Sequence, residues 1–137
     1  MTQINAYIHF DGQCGEAMEF YRDCIGGELT LQEVGETPMA AQSPEAIHHQ
    51  IIHASLTRGS LLLMGSDLAA PGFVKGNNIS LSLTCSSEEE INSFFSKLSA
   101  GGKVEHPVNI SFWGALFGSF KDKFGIDWML TYNKNEQ

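Results

Sequence analysis

The side chains able to do chemistry in this chain are its five histidines, its three cysteines and a run of three glutamates. His9 and His53 fall in stretches of alternating polarity, Ala6-Tyr7-Ile8-His9-Phe10 and Gln50–Leu56, in which every second side chain shares a face. Ile8 and Phe10 oppose Tyr7 and His9, while Ile52, Ala54 and Leu56 oppose His53 and Ser55, so both imidazoles lie on the more polar face. An imidazole titrating near neutrality can serve as general acid or base, ligate a metal, or hold a hydrogen bond and nothing more. A metal site using both histidines has no obvious carboxylate partner except Asp127. His48-His49 lies in a segment read as exposed loop, and His106 precedes Pro107 in a predicted turn. Cys14 opens a predicted helix, where the dipole lowers a thiol pKa, but no partner histidine is identifiable for a nucleophile. Cys24 and Cys85 read as small core residues. An odd number of cysteines without CxxC spacing points to reduced thiols, not a disulfide or a zinc knuckle.

A duplicated set of elements must position these groups. A strand, a helix and a Gly-Gly turn occur twice: Ala6–Phe10, Glu16–Ile25 and Gly26-Gly27, then Ile79–Leu83, Glu88–Leu98 and Gly101-Gly102. The second helix is announced by Ser87 and Glu90, the spacing of a capping box, and by Ile91, Phe94, Phe95 and Leu98 on one stripe. Glu88-Glu89-Glu90 thereby reads as a first helical turn favoured by the dipole, in preference to a metal site. Ala17, Phe20, Tyr21 and Cys24 repeat the stripe in the first helix. Both glycine pairs follow helices, whereas phosphate loops precede them. Further strands are predicted over Leu29–Val34, Gln50–Leu56, Ser60–Ser66, Lys103–His106, Leu116–Lys121 and Ile126–Tyr132. Gly35–His49 reads as an irregular loop, Asp67–Asn78 (with Pro71 and Gly72) as the link between halves, and Asn133–Gln137 as a polar tail. The expected organisation is a single domain, 1–137, with module one over about 1–70 and module two over about 75–132.

Composition bounds the function. The 137 residues, 42% hydrophobic and 18% charged, suit one soluble globular domain. A net charge of −8 with only eight Lys and Arg argues against nucleic acid as a partner. No apolar run reaches the roughly 18–20 residues of a membrane span, so no membrane partner is expected. The opening Met1-Thr2-Gln3-Ile4-Asn5 has no basic and apolar leader pattern, which gives a cytoplasmic expectation.

In the second half, Ile79, Leu81 and Leu83 oppose Asn78, Ser80 and Ser82, and Ile126, Trp128 and Leu130 oppose Asp127, Met129 and Thr131. Four strands thus offer a second face mixing polar and large apolar groups, the make-up of a small-ligand pocket. The competing reading is a solvated antiparallel sheet. The pocket is preferred because Tyr7, Met64, Met129, Phe112 and Trp113 would otherwise expose a large apolar surface. Phe112-Trp113 either covers a cavity mouth or packs in the core; Trp128 is core, and Asp122 is expected to bond the backbone of a hairpin turn.

The duplication, the opening Tyr7-Ile8-His9-Phe10-Asp11-Gly12 with Ala17 and Phe20-Tyr21, and the C-terminal Phe112-Trp113-Gly114, Phe117-Gly118-Ser119-Phe120 and Asp122–Trp128 resemble the PhnB-like family. That family belongs to the glyoxalase/bleomycin-resistance/dioxygenase group, the vicinal oxygen chelate superfamily. The resemblance spans nearly the whole chain. It implies an α+β fold of two paired βαβββ modules, with curved mixed sheets around a cavity and helices on the convex side, and a homodimer. Metal enzymes of the superfamily hold a divalent ion with His and Glu on four strands. Those positions fall here at Ala6 or Asn5, near Met64, at Asn78 and at Met129, none of them His, Asp or Glu. Some members carry a label related to ubiquinone methylation, yet nothing here resembles a methyl-donor loop. The resulting expectation is a metal-free, cofactor-free cavity that binds an apolar or aromatic small molecule. Its expected lining is Tyr7, His9, His53, Met64, Asn78, Ser80, Phe112, Trp113 and Met129. The alternative is a metal-dependent or His-assisted lyase, isomerase or dioxygenase-like enzyme, and an inert scaffold filled by its own side chains is the third reading.

Overall fold

Local signals in this chain are strong enough to set each helix and its buried stripe. The computed structural model describes residues 2–42, 44–67 and 73–134. Met1, Ser43, 68–72 (including Pro71 and Gly72 of the predicted link) and 135–137 of the predicted tail lie outside the described residues. The chain divides between Val74 and Lys75 into two compact units. The first contains β1 (Ala6–His9), α1 (Cys14–Ile25), β2 (Glu28–Glu33), β3 (Ile51–Arg58) and β4 (Leu61–Ser66). The second contains β5 (Leu81–Thr84), α2 (Glu88–Leu98), β6 (Lys103–Ile110), β7 (Leu116–Lys121) and β8 (Asp127–Tyr132). Each unit is therefore a βαβββ module, and the class is α+β.

Each module forms a four-stranded mixed sheet, in the orders β1-β4-β3-β2 and β5-β8-β7-β6. The first strand of each module pairs in parallel with the last, and the other pairs are antiparallel. α1 packs on β2, β3 and β4, burying Ala17, Met18, Tyr21 and Cys24. On the sheet side of that contact Ala54, Leu56 and Leu63 are buried. The first helix starts at Cys14, two residues before the Glu16 at which the sequence repeat begins it. Gly26 ends it with φ +89°, a backbone state that side-chain-bearing residues rarely adopt, and its N–H donates to the Arg22 carbonyl.

In α2 the Ser87 hydroxyl accepts from the Glu90 N–H at 3.1 Å, as the capping spacing predicts. The Glu90 carboxylate reaches one residue further back than expected, accepting from Ser86 N–H at 2.8 Å. Ile91, Phe94, Phe95 and Leu98 are all buried, each worth roughly 1.5–3 kcal/mol in apolar transfer. Phe95 meets Phe120 edge-on with centroids 5.0 Å apart, and Phe120 stacks on Trp128. Trp128 is core, as read. This packing requires Gly118, because a Cβ there would lie 2.6 Å from the Phe95 ring.

Three elements differ from their sequence reading. Gly35–His49 is not featureless: it holds 3-10 turns at Val34–Glu36, Pro38–Gln42 and Glu45–Ile47. β5 begins at Leu81, and Ile79, expected in the helix-facing core, is 76% exposed. Leu81 pairs with Trp128, so Ile79 would fall opposite Ile126, one residue before β8 begins. β6 continues through Pro107 to Ile110, so the strand predicted to end at His106 runs on where a turn at Pro107 is expected. The strand is at a sheet edge and shifts register on both sides of His106, which accommodates a residue without an N–H.

Candidate functional site

In each module the helix packs on one face of the sheet, and the opposite face carries the side chains that the sequence alternation assigns to a ligand. On the first sheet that face carries Tyr7 and His9 from β1, Met64 from β4, His53 and Ser55 from β3, and Thr30 and Gln32 from β2. Tyr7 is paired with Met64, Met64 with Ser55, and Ser55 with Thr30, one row across the sheet. The Tyr7 hydroxyl reaches across β4 to the Nδ1 of His53 at 3.1 Å. The Tyr7 ring lies 5.2 Å from that of His9 and 5.7 Å from that of His53. Three of the expected site residues therefore form one cluster, with Met64 beside it. Tyr7 and His9 are exposed and His53 and Met64 half-buried.

The second sheet offers Ser82 from β5, Met129 and Thr131 from β8, and Ser119 and Phe117 from β7. Met129 sits between Ser82 and Ser119, half-buried, on the face its alternation predicts. Asp127 is held by the Lys121 ammonium at 2.9 Å. Asn78 and Ser80 precede β5 and are exposed, so neither belongs to a strand face. Phe112 and Trp113 occupy the tip of the β6–β7 hairpin, closed by Ser111 N–H and hydroxyl donating to the Ala115 carbonyl, each at 2.8 Å. The core reading of this pair is overturned: Phe112 is 98% and Trp113 52% exposed. Trp113 meets Phe112 and Phe117 edge-on, with centroids at 4.9 and 5.7 Å. These rings, with His106, Asn109 and Ile110, line a cleft of about 340 Å³. Phe117, Asn109 and His106 were not singled out as site residues from the sequence. The extension of β6 beyond His106 is what brings Asn109 there.

Electrostatics removes Cys14 as a candidate nucleophile and agrees with the core reading of Cys85. Burial, with Asp67 adding, pushes the Cys14 thiol up to about 12, opposite to the lowering expected from its place at the start of α1. Burial, with Glu90 adding, does the same to Cys85. Neither is a thiolate at neutral pH. Asp67, unremarked in the sequence, accepts from the N–H groups of Cys14 and Ile51, both at 2.9 Å. It caps α1 from a distance, since Gln13 makes no side-chain cap. Asp122 accepts from Phe124 N–H at 2.8 Å, Ile126 N–H at 3.0 Å and the Trp128 indole at 2.9 Å. The expected turn bond is there, and a side-chain donor joins it.

Residues 2–131 match the family described as 3-demethylubiquinone-9 3-methyltransferase. The chain belongs to that family, the PhnB-like group of the vicinal oxygen chelate superfamily. A PhnB-like protein from Bacillus cereus, described as a putative 3-demethylubiquinone-9 3-methyltransferase, is 27% identical with a TM-score of 0.75, covering 96% of this chain and 99% of its own. Protein PA1353 from Pseudomonas aeruginosa is 35% identical with a TM-score of 0.84, over 97% of this chain and 98% of its own. Protein YjdN of Escherichia coli (strain K12) is 30% identical over 142 residues, 97% of each chain. The fold is that of the glyoxalase/bleomycin-resistance proteins. A bleomycin resistance determinant encoded on transposon Tn5 shares it at 16% identity and TM-score 0.59, over 98% of this chain and 99% of its own.

The donor set does not fit the metal site of this PhnB-like chain's superfamily. Ala6 has no donor, Asn5 and Asn78 offer amides, and Met64 and Met129 offer thioethers, poor partners for Zn²⁺, Ni²⁺ or Mn²⁺. Among the described residues no three His, Cys, Asp or Glu side chains come together in a geometry to hold an ion. Among them, too, no helix is long and apolar enough to cross a membrane.

Proposed function

We propose that this protein binds an apolar or aromatic small molecule and does so without a divalent metal ion. The observation that carries this reading is the cleft of about 340 Å³ at the β6–β7 hairpin, walled by Phe112, Trp113 and Phe117 and edged by His106 and Asn109. Its size falls in the roughly 300–1,000 Å³ range of small-molecule sites, and a few polar groups beside an aromatic wall are what fixes a ligand's orientation. Each 100 Å² of apolar surface covered there is worth about 2.5 kcal/mol. Met129, on the open face of the same module's sheet, adds to this surface; Tyr7, His9, His53 and Met64 form a separate cluster on the open face of the first module's sheet, and Asn78 and Ser80 lie in the segment before β5.

Methyl transfer, named in the family's description, needs a site for a methyl donor. Both Gly-Gly pairs follow their helices, so neither is such a loop. A His-assisted lyase or isomerase is the second reading, and the Tyr7–His53 bond of 3.1 Å is what favours it. The proposal includes self-association as a homodimer, which the family resemblance implies; a clean monomer in sedimentation velocity at micromolar concentration removes that part.

The test is a thermal-shift screen of aromatic metabolites and divalent metals against the protein and its Trp113→Ala variant. Stabilisation by an aromatic compound, lost in the variant, supports the binder. Stabilisation by a metal ion, with no organic ligand acting, overturns it.

A further inference from the structure

The Tyr7–His9–His53 cluster has more chemistry than an apolar wall needs. A phenol is a far stronger acid than a neutral imidazole N–H, so in the 3.1 Å contact Tyr7 donates and His53 Nδ1 accepts. That fixes the proton of neutral His53 on Nε2. Beyond this bond His53 makes no hydrogen bond among the described residues, and His9 makes none, its ring resting against Tyr7 at 5.2 Å. Two imidazole donors therefore stand on one face without an acceptor.

Their surroundings select the acceptor's charge. The chain has 16 Asp and Glu against 8 Lys and Arg, so a carboxylate near any surface imidazole would be unremarkable. The open-face neighbours are instead Met64, Ser66, Ser55, Thr30 and Gln32, none of them charged. The carboxylates of β2 lie at its two ends: Glu28 shares the open face but is paired with Thr57, four residues along β3 from His53, and Glu33 sits 3.5 Å from His49. A face with two N–H donors, its one β2 carboxylate at the far end of the strand from Gln32 and His53, and the phenol and thioether of Tyr7 and Met64 alongside suits an anionic oxygen attached to a flat ring.

We propose that Tyr7, His9 and His53 form a subsite for the carboxylate of an aromatic acid. The carboxylate accepts from His53 Nε2–H and from a His9 ring N–H, and the ring lies on Met64. Tyr7 acts as a positioning residue that holds the His53 tautomer. This inference rests on the small-molecule reading above and narrows its ligand class.

The probe is benzoate, with acetate and benzyl alcohol as comparisons, read by the imidazole ¹H, ¹³C and ¹⁵N signals of His9 and His53. Benzoate is expected to shift both residues saturably, with benzyl alcohol and acetate much weaker. His53→Phe is expected to weaken benzoate about tenfold, the loss of one hydrogen bond to a charged group. Tyr7→Phe leaves the backbone spectrum unchanged yet moves the His53 ¹⁵N pair from the Nε2–H pattern towards the tautomer average. Equal binding of benzyl alcohol overturns the anion subsite while leaving an aromatic binder standing. Equal binding of acetate overturns the role of the ring. If none of the three moves these signals the subsite is refuted, and the Trp113 screen then decides the broader reading by itself. An unchanged ¹⁵N pattern in Tyr7→Phe removes Tyr7 from the proposal.

Discussion

Replacing Asp122 by Asn changes one atom and sets a donor against a donor. The carboxylate lies 3% exposed between two backbone N–H groups and the Trp128 indole N–H. The substituted amide keeps its oxygen towards Phe124 and Ile126 only by turning its NH₂ towards Trp128 Nε1–H. One charge-assisted bond is lost and a buried indole N–H is left unsatisfied, a cost of about 2–3 kcal/mol. Asp122→Ala removes all three acceptor contacts and costs roughly 4 kcal/mol or more, a large share of the 5–15 kcal/mol that holds a typical domain.

Trp128→Phe isolates the cause. It deletes the indole N–H, so Asp122→Asn made in that background no longer faces a donor and should cost below about 1 kcal/mol. Packing lost by the smaller ring enters both arms of the cycle and cancels. Urea denaturation of the four proteins, followed by far-UV circular dichroism, gives the coupling, expected at about 1.5–2 kcal/mol. An Asp122→Asn penalty that is the same with Trp or Phe at position 128 refutes the assignment of that penalty to the indole bond.

Gly118→Ala should destabilise by about 1–3 kcal/mol through overpacking against Phe95, and Phe95→Leu in the same chain should recover part of it; an unaltered denaturation midpoint would show that the ring moves freely. The native state holds the Cys14 and Cys85 protons more tightly than the unfolded chain, so their contribution is intact below about pH 9 and is lost as pH rises towards about 12. The Cys14→Ala/Cys85→Ala variant should therefore lose less stability than the parent between pH 8 and pH 10.5, and equal losses would contradict the shift. Met129→Arg, on the open face of β8, should abolish stabilisation by an aromatic ligand while leaving the unliganded melting temperature nearly unchanged; undiminished binding removes Met129 from the ligand surface. Dialysis against Zn²⁺, Ni²⁺ or Mn²⁺ should leave no stoichiometric ion, and one ion per chain released by Met129→Ala would reverse the metal-free reading.

What could be read in advance follows the range of the interaction responsible. α2 was legible almost to the residue because its cap, its acidic first turn and its stripe all lie within a dozen positions. The alternation that assigns Tyr7, His9 and His53 to one face is equally local. The start of β5 was not legible, because Asn78-Ile79-Ser80 continues the alternation while the partner strand β8 does not extend to meet it. Pro107 looked like a turn for the same reason in reverse, since nothing nearby in the chain reveals that β6 is an edge strand. That single difference hid the cleft, whose Asn109 and Ile110 belong to the extension.

The site itself depended on strand order. His9 and His53 share a face in any register-preserving sheet, but Tyr7 reaches His53 only because β4 alone separates β1 from β3. The acidic residues show the complementary logic. Among the described residues the two buried carboxylates, Asp67 and Asp122, both accept from backbone N–H groups, one across half the module and one within its own turn. A carboxylate so engaged satisfies donors that would otherwise cost about 1–3 kcal/mol each, so it is committed to the fold and withdrawn from chemistry. Asp127, the carboxylate named as a possible partner for a histidine metal site, is held by the Lys121 ammonium at 2.9 Å. Among the groups presented by the open sheet faces and the β6–β7 hairpin are imidazole, phenol, thioether and indole, beside the Ser, Thr and Gln side chains of the same strands. That set stacks on rings and donates to oxygen far better than it grips a divalent ion, which is why the balance falls towards a binder of aromatic ligands.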